Sequence, residues 1–214
     1  MTRSTELAAV TRALEEDIVL GRLHPRERLP EDALIARFGA KRHVIRDALR
    51  RLAEIGVVEL IPNRGAQVRA FTPAEVRDLY DLREMLETGA AARLPAPLPA
   101  SALAALEAAQ RRHDAAVEAG DKAAIFRANR AFHARLFSFC PNPFLVEAVE
   151  AASRRAHAIR FASLGDPAAV ARARDEHHAM IAAAAEGRRD DLVNLCRAHL
   201  PASREAYLAC AVTP

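Results

Sequence analysis

The 214-residue sequence contains no tryptophan, and only 5% of it is aromatic. Sheet-rich cores lean on aromatic and β-branched side chains, so this shortage, beside abundant alanine, favours closely packed helices over a β-sandwich. Cysteine is scarce as well. Cys140, Cys196 and Cys210 are odd in number and far apart, which excludes a disulfide framework and a zinc-ribbon spacing and fits a reducing cytoplasm. No apolar run reaches the length of about 18 residues that a membrane span needs. The N-terminus carries Glu6, Glu15, Glu16 and Asp17 through its apolar stretch, so it does not read as a signal peptide.

What is present is a charge imbalance confined to one end. The formal net charge is +3, and residues 1–71 hold 13 Lys and Arg against 10 acids, whereas residues 72–214 hold 18 of each. The excess peaks in Lys41–Arg51, with five basic residues and the single acid Asp47. Such a local stripe is either a solvated helix face or a footprint for phosphates.

Hydrophobic periodicity organises the chain. Leu7, Val10, Leu14 and Ile18 recur at helical spacing, and Gly21 is a stop signal. After the loop RLHPRER, Pro30 opens a short helix to about Phe38; Gly39 breaks it, and a second runs from about Arg42 to Glu54, ending at Gly56. VVELI and AQVRA flank the turn PNRG and read as a β-hairpin. Helix, helix-turn-helix and hairpin in that order predict a winged helix over residues 1–71. Thr72-Pro73 then starts an all-helical domain, residues 72–214, with six predicted helices at about 72–93, 101–119, 121–139, 143–163, 167–186 and 189–210. The expected fold is therefore mainly α, an N-terminal winged helix-turn-helix followed by a C-terminal six-helix bundle.

In the second short helix Val44, Ile45, Ala48, Leu49 and Leu52 form an inward stripe, and Arg42, Arg46 and Arg50 lie four apart on a neighbouring face. The planar guanidinium fork suits phosphate and the acceptor pair of guanine. The first turn of such a helix enters the major groove, so Lys41, Arg42, His43, Arg46 and Arg50 are candidate DNA contacts. Arg64, at the hairpin tip, is a candidate for the minor groove or a phosphate.

The segment from Gly21 to Val68 resembles the DNA-binding domain of the GntR family. The resemblance rests on Leu29, Leu34, Gly39, Arg42, the run Ile45-Arg46-Asp47-Ala48-Leu49, Leu52, Gly56-Val57-Val58 and Asn63-Arg64-Gly65. It departs at Lys41, where the family usually has Ser or Thr, and at His43-Val44, where Thr-Pro or Thr-Thr is common. Further on, Arg83-Glu-Met-Leu-Glu87, Asn129-Arg-Ala-Phe-His133, Asn142-Pro-Phe-Leu, Glu176-His177 and Arg197-Ala-His199 resemble the FCD effector domain of the FadR branch, in its shorter VanR-like form. The resemblance implies a cytoplasmic homodimeric regulator of a double-stranded DNA operator, acting as a repressor and not as an enzyme.

Spacing alone leaves the histidines open. Asn129 and His133 share a helix face, and His177 and His199 fall on apolar stripes of two other helices, but isolated core histidines would look the same. The resemblance implies a metal site: Asn129, His133, His177 and His199 occupy the positions that hold a divalent ion (Zn, Ni or Mn) in metal-binding FCD domains, with Asn129 where Asp is commoner. His178, rotated by about 100° from His177, is the poorer ligand candidate of the two. Arg83, on the face of Leu79 and Leu86, is either the anchor of a small carboxylate effector or the partner of Glu87 one turn on. Two other readings compete: a metal-dependent hydrolase, disfavoured because no H-E-x-x-H motif is present, and a purely structural metal. No catalytic residue is assigned.

Overall fold

The computed structural model describes residues 3–62 and 65–211. The chain forms two compact units. The first comprises the residues up to Thr72 together with Arg154–Phe161, and the second comprises Pro73–Ser153 and the residues from Ala162 onward.

In the first unit, helix α1 (Arg3–Val19) packs on the second helix of a helix-turn-helix formed by α2 (Glu31–Phe38) and α3 (Arg42–Ile55). The apolar stripe read from sequence is the contact: Val10, Leu14 and Ile18 of α1, Leu34 of α2, and Val44, Ile45, Ala48, Leu49 and Leu52 of α3 are all buried. Gly39 and Gly56 end α2 and α3 in the left-handed region, at φ 62° and 87°, a conformation that a Cβ disfavours. Asp17, buried on α1, accepts hydrogen bonds from Arg37 of α2 at 2.5 Å and from Arg22 at 3.2 Å, so the turn is tied to the first helix.

The wing is a three-stranded antiparallel sheet in the order β1 (Arg28–Leu29), β3 (Gly65–Val68), β2 (Val58–Ile61). Val58 pairs with Val68, Glu59 with Gln67 and Leu60 with Ala66. The segment RLHPRER, expected as a loop, ends in Arg28, the first residue of β1, which pairs Arg28 with Gln67 and Leu29 with Ala66. A two-residue strand shows no side-chain alternation, so only its backbone partners reveal it. The hairpin tip, Asn63 and Arg64, lies outside the described residues.

The segment Arg154–Phe161 belongs to the first unit although the chain reaches it from α7 (Pro143–Arg155). Its 3-10 turn, Ala156–Ala158, lies against α1. There His157 Nδ1 and Glu15 Oε1 are 2.7 Å apart, with both residues buried.

The second unit is all helical: α4 (Pro73–Ala91), α5 (Ala100–Glu118), α6 (Lys122–Phe137), α7 up to Ser153, α8 (Phe161–Leu164) from Ala162, α9 (Pro167–Ala185), α10 (Arg189–His199) and α11 (Pro201–Ala211). Asp121 and Asp166 cap α6 and α9 by accepting from Ala124 N at 3.0 Å and Ala168 N at 2.9 Å. Leu94, Leu106, Phe132, Leu136, Met180 and Leu192 lie at the centre of one apolar core. The helix expected over 189–210 is divided at Leu200, because Pro201 has no N–H with which to continue α10. The helix expected over 143–163 stops at Arg155 and passes into the 3-10 turn. At Gly187 the backbone has φ +71° and a Cβ would meet Pro97 N at 3.2 Å, so the turn before α10 has room only for glycine.

Candidate metal centre and recognition helix

Three helices bring three imidazoles to one point. His133 comes from α6, His177 from α9, and His199 is the last residue of α10. His133 Nε2 lies 3.1 Å from His199 Nε2 and 3.3 Å from His177 Nε2. One ligand atom from each residue lies within 4.8 Å of the others. Phe132 stacks on His177 with centroids 4.0 Å apart and planes at 17°, which fixes that ring.

The outer nitrogens decide which way the lone pairs point. Gln110 of α5 donates its Nε2 to Asp114 Oδ1 at 2.7 Å, so its Oε1 faces His177 Nδ1 at 3.0 Å as an acceptor. Glu176 Oε2 accepts from His199 Nδ1 at 2.5 Å. With their protons held on Nδ1, His177 and His199 both turn an Nε2 lone pair inward. A single proton on His133 Nε2 can satisfy only one of them at a time. A divalent cation resolves the conflict for all three. Ligand nitrogens about 2.0–2.1 Å from a tetrahedral ion stand about 3.3 Å from one another, close to the two spacings observed. The residues therefore fit a metal, and the Asp114–Gln110–His177 and Glu176–His199 pairs are the kind of outer support that orients metal-binding imidazoles.

Asn129, one turn before His133 on α6, is half-buried. His178, the poorer ligand candidate on helical geometry, points away and meets Asp114 Oδ1 at 3.1 Å on the exposed side. Gln110 and Glu176 were not singled out as site residues from sequence. Glu176 does point away from its neighbour His177, but toward His199, which only the packing of α9 on α10 brings near. Glu176→Gln should weaken metal affinity by about 10–100-fold while the helical content stays unchanged; calorimetric metal titration of both proteins checks this, and equal affinities would remove Glu176 from the site.

His113, also missed, lies on α5 with its ring centroid 4.9 Å from that of His177. Burial pushes its imidazole down to about 4, against the opposing pull of Asp114, and its Nδ1 has no hydrogen-bond partner among the described residues. Below pH 6.5 the unfolded chain protonates this histidine while the folded chain does not until about pH 4. Stability present above pH 6.5 is therefore lost as pH falls toward 4, about 2 kcal/mol of it by pH 5. In chelator, His113→Phe should lose less stability than the wild type between pH 7 and pH 5, read by denaturant melts; parallel losses would refute the assignment.

Arg83 and Glu87 of α4 form a buried ion pair, with Arg83 Nε and Nη2 each 2.9 Å from Glu87 Oε1. Burial works against the arginine's charge, but the Glu87 carboxylate and the Tyr80 hydroxyl outweigh it and hold the pKa above its usual value. The pairing named as the alternative to effector binding is thus present. It leaves Arg83 Nη1 buried without a hydrogen-bond partner among the described residues.

On α3, Lys41 immediately before the helix and Arg42, His43, Arg46 and Arg50 within it are exposed. Arg42 is 2.7 Å from Asp32 Oδ1 and 3.1 Å from Glu31 Oε2, and Arg46 Nε is 2.9 Å from Glu31 Oε1. The hydrogen bond from Arg46 holds the Glu31 carboxyl below the usual range. Arg50 bonds Asp47 at 3.3 Å. Exposed pairs of this kind are weak, so they leave the guanidinium groups open to exchange with another anion.

Comparison with known proteins gives the family. The pattern described as bacterial regulatory proteins, gntR family, matches residues 7–68, and that of the FCD domain matches residues 78–202. The chain belongs to the GntR family of bacterial transcriptional regulators and carries an FCD domain. It is 29% identical over 133 residues to an uncharacterized HTH-type transcriptional regulator in the TAR-I ttuE-ttuC' intergenic region of Agrobacterium vitis, covering 61% of this chain and 78% of that one. It is 29% identical to the HTH-type transcriptional repressor RspR of Escherichia coli over 58% of this chain and only 54% of the relative. It is 28% identical to the Nta operon transcriptional regulator of Aminobacter aminovorans over 82% of both. Among solved structures, a GntR regulator from Rhodococcus sp. RHA1 aligns with a TM-score of 0.78 at 21% identity over 96% of this chain and 98% of that one. E. coli McbR/YncC aligns at 0.74 and 23% over 96% of both. At that identity the two structures establish the fold. Among the described residues, no helix is long and apolar enough to cross a membrane.

Proposed function

We propose that this regulator is a homodimeric repressor whose operator affinity is set by a small carboxylic acid bound at a divalent-metal site. The observation that carries the reading is the convergence of the His133, His177 and His199 Nε2 atoms, with Gln110 and Glu176 holding the outer nitrogens of two of them. His133, His177 and His199 hold the ion, assisted by Asn129; zinc, nickel and manganese all accept imidazole. The bound ion supplies a Lewis acid for a carboxylate oxygen. Arg83 Nη1, a buried donor without a hydrogen-bond partner among the described residues, suits a second polar group of the same acid. Lys41, Arg42, His43, Arg46 and Arg50 contact the operator, joined by Arg64 of the wing. The name of the E. coli relative, a repressor, supports the sign of regulation, and this cytoplasmic DNA-binding role calls for no enzymatic step.

The test is a metal titration with and without candidate carboxylic acids, read by both melting temperature and operator binding. A ligand that binds only the folded state raises stability with its concentration. Metal and acid should each raise the melting temperature, and the acid should change operator affinity only when metal is bound. An acid effect that survives complete chelation would overturn the site; a metal effect on melting with no acid effect on DNA would mark a purely structural ion.

A further inference from the structure

Helix α4 turns Arg83 and Glu87 inward and leaves a different side bare. On that side Asp78, Leu82, Met85, Gly89 and Ala92 follow one another at spacings of three and four, one helical stripe. Leu82 is 38% exposed and Met85 is 67% exposed. These are large apolar groups to leave in water, and methionine adapts readily to a partner surface.

The charges at the two ends of the stripe are opposite. Asp78 is exposed near the start and enters no ion pair among the described residues. Arg93, just past the helix end, folds back and donates Nη1 to Gly89 O at 2.7 Å. Its guanidinium sits 3.7 Å from where a Gly89 Cβ would stand, so the positive charge lies on the same stripe. Met85 falls midway between Asp78 and Arg93, about 10–12 Å of helix from each.

We infer that this face of α4 is where two copies of the chain meet, antiparallel across a two-fold axis at Met85. Reversing one helix on the other sets Asp78 of each copy opposite Arg93 of the other. It brings Leu82 toward Gly89 and the stem of the Arg93 side chain folded over it, and places the two Met85 side chains together at the axis. An isologous contact requires such self-complementarity. A nucleic acid or an anionic membrane is a poor occupant, because the stripe carries Asp78 and has Asp81 beside it.

The inference rests on the two-copy reading above, and sedimentation across a concentration series separates the two. The full-length wild type should show the mass of two subunits. Met85→Glu should weaken association by 100-fold or more, with unchanged circular dichroism. Asp78→Arg and Arg93→Asp should each weaken it by about 10-fold, since like charges then face one another, and the double variant should recover most of the loss. A monomeric wild type would overturn the dimer itself. A dimeric wild type whose charge variants all associate equally well would overturn this face, even if Met85→Glu fails to fold.

Discussion

Replacing His177 with Ala is expected to abolish divalent-metal binding and, with it, the response to acid, while operator binding in the absence of effector stays near the wild-type level. His177 is fully buried and meets His133 at 3.3 Å within the triad, with Phe132 on one side and Gln110 behind it. Its loss leaves two nitrogens, too few for a closed site, and affinity should fall by more than the 10–100-fold expected for an outer-shell change. Elemental analysis of carefully purified protein gives the metal, and gel-shift titration with a responsive acid gives the coupling. A variant that keeps its metal, or one that loses it yet still responds, would refute the assignment. Metal uptake by the wild type should also fade below about pH 6, where free imidazoles protonate.

Arg46→Ala should lower operator affinity by about 10-fold or more and reduce the slope of affinity against salt, with Arg42→Ala behaving likewise. In the free protein both guanidinium groups rest on Glu31, and Arg42 also rests on Asp32. The carboxylates hold the arginines at the exposed start of α3, and on the proposed reading they would be exchanged for DNA on binding. Because the pairs are exposed, their rupture costs little, and the alanine variants should melt near the wild-type temperature. An operator affinity equal to the wild type's at fixed salt would remove these residues from the interface.

The winged helix was legible because its signals are local. Gly39 and Gly56 mark helix ends within a few residues of the stripes they terminate, and each adopts the left-handed conformation that its position suggests. The histidine triad was not legible from spacing, since its members lie on three helices and no periodicity relates them; family resemblance pointed to them, and packing brings them to 3.1–3.3 Å contacts. The support from Gln110 and Glu176 was beyond reach for the same reason. Glu176 reads as irrelevant to His177, and its actual partner is 23 residues away. The breaks at Arg155 and Pro201 are a different kind of miss: Pro201 is a local signal, a residue with no N–H to continue α10, whereas the passage from α7 into a 3-10 turn has no such marker.

The segment Arg154–Phe161 has a consequence for how the molecule is made. The DNA-reading unit is completed by chain that lies far downstream of Thr72. During synthesis its N-terminal residues leave the ribosome well before that segment exists, so α1 waits with Glu15 lacking the His157 imidazole that later covers it. Domains usually finish folding in the order they emerge; here the reading head closes only after most of α4 to α7 has been translated. A nascent chain interrupted before Arg154 thus carries α1 without the turn that packs on it and covers Glu15.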